Sequence, residues 1–186
     1  MTASPTPADV VGFWREAGRR TWFRADANFD EIIRIRFEPL HLEASRSELA
    51  GWSGSPDGAL ALVLLFDQFP RHIYRGSAHA FATDPLARQI ADRAITDGYD
   101  LAFETSLQPF FYLPFEHHED AASQSRSVEL SARHAERSGE TDYLRFARLH
   151  AELITRFGRF PHRNQVLGRK STPEEVAYLE GGGFRG

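Results

Sequence analysis

The chain has 186 residues, 41% of them hydrophobic and 12% aromatic, with 22 Lys and Arg against 26 Asp and Glu for a formal net charge of −4. This suits one folded domain with its own core, and the negative balance argues against nucleic-acid binding through bulk charge. With no cysteine, a disulfide framework, a thiol nucleophile and thiolate metal ligation are excluded.

No apolar run approaches the roughly 18 residues of a membrane span, and the start, Met1-Thr2-Ala3-Ser4-Pro5-Thr6-Pro7, lacks the pattern of a signal peptide. The expectation is a soluble cytoplasmic protein without membrane partners, a single domain over residues 1–186 with flexible ends at about 1–6 and 181–186. Lys170 is the sole lysine, so Schiff-base chemistry falls to that residue or to none.

In chain order, Pro7-Ala8-Asp9 predicts a helix to about Arg20, with Val10, Phe13, Trp14 and Ala17 on one face. A second pattern runs from Asn28 to about Leu49, capped by Asp26 or Asn28, and Pro39 should kink or divide it. Asp57 to Tyr74 holds Ala59 through Phe66, apolar all round, which predicts a central buried helix; a buried strand is the competing reading but has no partner strand. Thr83-Asp84-Pro85 starts a helix ending near Gly98, and another runs from about Glu119 to Arg137, stopping at Ser138-Gly139. The next, from Thr141 or Asp142 to Gly158, forms an antiparallel pair with it, and Thr172-Pro173-Glu174-Glu175 is a capping box opening the last helix. The fold class is all-α, built of antiparallel helix pairs.

Four blocks spread over almost the whole chain carry a resemblance. They are Trp22-Phe23 with Phe29-Asp30; Asp67-Gln68-Phe69-Pro70-Arg71 through Tyr74-Arg75-Gly76 and Phe81-Ala82-Thr83-Asp84; Tyr112-Leu113-Pro114-Phe115-Glu116-His117 with Glu119-Asp120 and Gln124; and Arg156 through Asn164 with Leu167-Gly168-Arg169 and Ser171-Thr172. Together they resemble the bacterial family called domain of unknown function 924. His72 stands where that family usually has asparagine, and His118 where it usually has serine. The resemblance implies a tetratricopeptide-like α-α superhelix and no established activity; no 34-residue repeat is visible in the sequence itself.

Three polar clusters are candidate chemistry. Asp67 interrupts the apolar helix with Arg71 one turn on and Arg75 beyond, beside Pro70, which frees a backbone carbonyl; these residues either line a polar pocket or form an internal ion network. His117, flanked by Glu116 and Glu119, is the candidate general acid or base, and the spacing Glu116-His117-His118-Glu119-Asp120 matches no zincin motif. In the third cluster Arg159, Arg163 and Arg169 could clamp a phosphate or carboxylate, with His162 alongside, Asn164 donating and Phe160 as a wall. The bland alternative pairs Arg159 and Arg163 with Glu116, Glu119, Asp120 or Asp67, and lets Arg156 complement a helix C-terminus.

Two functions follow from these residues. One is a small anionic metabolite site, with His117, Glu119 and Asp67 as catalytic candidates if there is catalysis, and Arg71, Arg75, Arg159, His162, Arg163, Asn164 and Arg169 as ligand-binding groups. The other is a tetratricopeptide-like module that takes a protein or peptide partner, its charges purely structural. No Walker A or dinucleotide-binding motif is present, so no cofactor is named.

Overall fold

The computed structural model describes residues 4–186; Met1–Ala3, part of the start expected to be flexible, lie outside the described residues. The chain is all-α, with no strand among the described residues.

Local chemistry sets most helix ends. Pro7–Ala17 (α1) opens on a capping box in which Thr6 Oγ1 accepts from the Asp9 N–H and the Asp9 carboxylate accepts from the Thr6 N–H. It stops at Gly18, whose φ of 69° ends the helix before the expected Arg20, and Arg19–Trp22 (α2) forms a separate turn. Ala27–Ser45 (α3), capped by Asp26, runs unbroken through Pro39. Pro39 removes the hydrogen bond to Ile35, but both residues lie on the exposed face, where water can satisfy the freed carbonyl.

Pro56–Val63 (α4) passes through a π turn at Leu64–Gln68 straight into Phe69–Ile73 (α5). Gly58 makes the start of α4 possible: a Cβ there would lie 2.0 Å from the Trp52 carbonyl oxygen. Asp84–Thr96 (α6) and the single turn Leu113–Glu116 (α7) follow. Ala121–Ser138 (α8), capped by Asp120, and Asp142–Phe157 (α9) end on the left-handed glycines Gly139 and Gly158 and pack as an antiparallel pair. Pro173–Glu180 (α10) begins with the Thr172–Glu175 capping box.

The contacts divide the chain into two compact units, the first being the chain up to Arg75 with His79–Pro114, the second Gly76–Ala78 with Phe115–Gly186. The first has an aromatic core. Trp14 and Trp22 stack at 5.8 Å between ring centroids, Phe110 meets both edge-on, and Phe37 and Phe69 lie 4.8 Å apart beside Phe13. The all-apolar run Leu60 to Leu65 is fully buried with them, which is why it tolerates no polar face. The second unit is built on α8 and α9, with Leu153, Ile154 and Phe160 at a core that Phe157, Tyr178 and Phe184 cover.

Candidate functional site

The sequence-predicted residues fall in both units, Asp67, Arg71 and Arg75 in the first and the rest in the second. In the first unit the π turn and Pro70 leave successive carbonyls without helical donors, and side chains replace them. His41 Nδ1 contacts the Leu65 oxygen at 2.8 Å, Thr83 Oγ1 donates to the Phe66 oxygen at 2.7 Å, and Arg71 donates to the Asp67 oxygen. Thr83 therefore serves the π turn rather than capping α6 with its side chain.

Asp67 is fully buried, and Arg71 Nη1 lies 3.3 Å from its Oδ1, the i to i+4 pairing. Arg71 also forks onto Asp84 at 2.9 and 3.1 Å. Burial opposes the Arg71 charge, yet Asp67 and Asp84 outweigh it and raise its pKa. Arg75 instead grips Asp30, which also accepts from His72 at 2.7 Å; burial pushes the His72 pKa down against that carboxylate.

In the second unit the turn after α9 is a lattice of forked ion pairs. Arg159 donates through Nε and Nη2 to Glu175 at 2.6 and 2.8 Å, so its partner is the capping-box glutamate rather than the acids near residue 116. Glu175 also accepts from the Thr172 N–H and from Asn164, and the Arg159 hydrogen bonds foremost hold its pKa at about 2. Arg169 forks onto Glu119 at 2.6 and 2.9 Å and donates to the Asn164 side chain and the Phe160 carbonyl, while the Phe160 N–H donates to Glu119. Asn164 thus joins both pairs. Arg156, at the end of α9, reaches Glu174 at 2.9 Å and lies over the rings of Phe157 and Tyr178.

What these pairs frame is Phe160, fully buried, and three basic side chains around its ring. The Arg163 guanidinium carbon lies 4.8 Å from the ring centroid, the His162 ring stacks at 5.6 Å and 25°, and the His150 ring meets it edge-on at 5.3 Å. His150 Nδ1 contacts the Phe146 carbonyl at 2.9 Å, which fixes the proton on Nδ1, and lies 3.2 Å from Glu116. Burial pushes His150 down to about 3 and His162 to about 4, and Arg163 adds to both shifts; His117 is near enough to contribute to each. Both rings are therefore neutral near pH 7. His162 Nδ1 is buried with no hydrogen-bond partner among the described residues. Arg163 itself is only 7% exposed.

His117 sits half-buried in this group, between buried Glu116 and Glu119. His118 pairs with the α8 cap Asp120, held at about 2 by the Ser123 hydrogen bonds and by His118 against the upward effect of burial. Gln124 sends its amide N–H groups to the carbonyls of Phe115, Glu116 and His118, tying this turn to α8. No three His, Asp or Glu side chains among the described residues are grouped to hold a metal ion.

Sequence reasoning missed His150, Glu175 and Phe184, and in the first unit Asp84 and Asp30 as partners. Position 150 lies on the apolar face of α9, a signal for a buried histidine; Glu175 reads as a cap alone, and nothing local links it to Arg159.

An all-helical fold with these ion-paired turns defines the class, and the family model of the bacterial proteins of unknown function called DUF924 matches residues 10–183. The chain belongs to that family. Among solved structures it is similar to a protein of unknown function from Agrobacterium tumefaciens, with 50% sequence identity and a TM-score of 0.88, covering 94% of this chain and 97% of that one. No curated protein matches the sequence.

Proposed function

We propose that the second unit binds a small anionic metabolite, a phosphate or carboxylate, at the His150, His162 and Arg163 centre. The observation that carries this reading is the buried Nδ1 of His162, which lacks a hydrogen-bond partner among the described residues while sharing the Phe160 ring with a guanidinium. An anion would accept from His162 and be balanced by Arg163. Arg159 and Arg169 then hold the turn in shape through Glu175 and Glu119, and Asn164 couples them. His117 carries any proton transfer at this centre, Glu119 positions the turn, and the Asp67, Arg71 and Arg75 networks stabilise the first unit. A single functional domain acting in the cytoplasm is part of the same reading.

A thermal-shift panel of phosphorylated and carboxylated metabolites tests it on the wild type, Arg163→Gln and Arg159→Gln. Stabilisation that disappears in Arg163→Gln and persists in folded Arg159→Gln supports the reading. Absence of any stabilised pairing in the wild type refutes it.

A second reading, the tetratricopeptide-like peptide module, is favoured by one observation. Between α8 and α9 lies an open groove of about 310 Å³ lined by Ala121, Gln124, Val128, Ala151 and Ile154. A peptide partner captured there would be insensitive to Arg163→Gln and blocked by Ala151→Trp.

A further inference from the structure

The segment after α10 returns to the same histidines. Gly183 donates its N–H to the Tyr178 carbonyl, the Phe184 N–H donates to the Tyr178 hydroxyl at 2.9 Å, and Arg185 caps the Leu179 carbonyl. These few bonds deliver the Phe184 ring to a slot made of other rings. It lies edge-on to His150 at 4.8 Å and to His162 at 5.3 Å, and tilted against Phe146 at 6.4 Å. At Gly186 a Cβ would come within 3.3 Å of His162 Cδ2 and 3.5 Å of Nε2, so the strap stays on His162 beyond Phe184.

We propose that Gly181–Arg185 is a strap that plugs the histidine centre through Phe184, and that the ligand displacing it carries an aromatic ring beside its phosphate or carboxylate. The inference rests on the anion reading above. The slot already accepts a ring edge-on against two imidazoles, so an aryl group can replace the Phe184 ring while its anionic group reaches His162 and Arg163. The strap is also built to come away. Its first three residues are glycines, its anchors are a few hydrogen bonds to Tyr178 and Leu179, and Phe184 is only half-buried. Gly182 stands at a φ of 85°, and Gly183 cannot be replaced in place: a Cβ there would lie 2.4 Å from the Tyr178 ring. The glycines thus set both the path of the strap and its freedom to leave.

Two variants loosen the strap by different routes. Phe184→Ala empties the slot, and Gly183→Ala dislodges the strap against Tyr178 while keeping the Phe184 ring. The first readout is the rate of carbethoxylation at His162 by diethyl pyrocarbonate, mapped by mass spectrometry, which requires no ligand. The second is the affinity for phenyl phosphate compared with inorganic phosphate. If the plug is populated at about 90% in the wild type, both variants should raise the His162 modification rate and the phenyl phosphate affinity by about tenfold. Inorganic phosphate, which has no ring, should gain less. Unchanged modification in both folded variants overturns the strap, and the anion reading survives if the wild type binds either probe. Faster modification with neither probe bound by any form, up to about 10 mM, overturns the anion reading and with it the plug.

Discussion

Arg159 and Glu175 form a two-bond fork, Nε to Oε1 at 2.6 Å and Nη2 to Oε2 at 2.8 Å, and this pairing ties the turn after α9 to the first turn of α10. Glu175 is 1% exposed and makes three further hydrogen bonds there, two with Thr172 that cap the helix start and one from Asn164. Glu175→Gln should lower the melting temperature more than Arg159→Gln, since the glutamine keeps one acceptor for the Thr172 N–H but turns an amide donor toward the Arg159 guanidinium, whereas Arg159→Gln leaves Glu175 its bonds from Thr172 and Asn164. A double-mutant cycle measured by urea denaturation should show coupling between the positions. Additive effects would mean the fork contributes nothing.

The arginine-rich turn shows what local sequence conveys and what it does not. Caps such as Thr6-Pro7, Asp120 and Thr172-Pro173 and the stops at Gly139 and Gly158 are set within a few residues, so the helices they bound are legible. Gly18 ended α1 short of Arg20 by taking a positive φ, and Pro39 did not divide α3 because it faces solvent. Crowded arginines did announce that anions must relieve them, whether carboxylates, a ligand or salt; that Arg156 and Arg159 meet Glu174 and Glu175 was decided by α10 folding back on the turn, and Arg169 meets Glu119 across 50 residues of chain. His150 and Phe184 reach the centre by the same tertiary route, and no spacing rule connects 150, 162 and 184.

The π turn makes a separate demand on the first unit. Arg71→Met should leave Asp67 and Asp84 buried without their shared cation, a loss of about 3–5 kcal/mol. Thr83→Val removes only the donor to the Phe66 carbonyl and should cost about 1–2 kcal/mol. Denaturant unfolding of each variant checks the order; equal losses would show that the ion network is not what stabilises the turn.

Gly58→Ala should destabilise although alanine is the better helix former, because its methyl group meets the Trp52 carbonyl. Overpacking of this kind costs about 1–3 kcal/mol. A neutral or stabilising effect in thermal denaturation would contradict the close approach.

Acid stability follows in large part from the two most strongly depressed histidines, with His41, His72 and His134 shifted in the same direction by burial. Folded His150 and His162 titrate at about 3 and 4, whereas the unfolded chain takes up protons below about 6.5. The fold keeps its full contribution from these rings above that value and loses it as pH falls toward 4, since protons bind the unfolded state first. Glu175, at about 2, adds a further loss below about 4.5. Between about pH 7 and pH 5.5 the two rings together should cost roughly 2–3 kcal/mol, read from urea midpoints. A flat profile down to about pH 5 would mean that the rings are not buried as neutral groups.

An anion at the same centre reverses that balance, because a bound negative charge favours the imidazolium forms. Affinity for sulfate, whose charge is fixed over this range, should rise as pH falls from about 8 to 6 with net proton uptake, measurable by calorimetry in buffers of different ionisation enthalpy. Proton release on binding would place the anion away from the histidines.

The most direct test is nitrogen NMR of the histidine side chains in protein labelled at its imidazoles, titrated with inorganic phosphate and with phenyl phosphate at about pH 7. The His162 ring nitrogens should shift and gain protonation as the anion saturates, with His150 responding and with the response lost in Arg163→Gln. His162 nitrogens that stay fixed while both probes reach about 10 mM would contradict the anion reading.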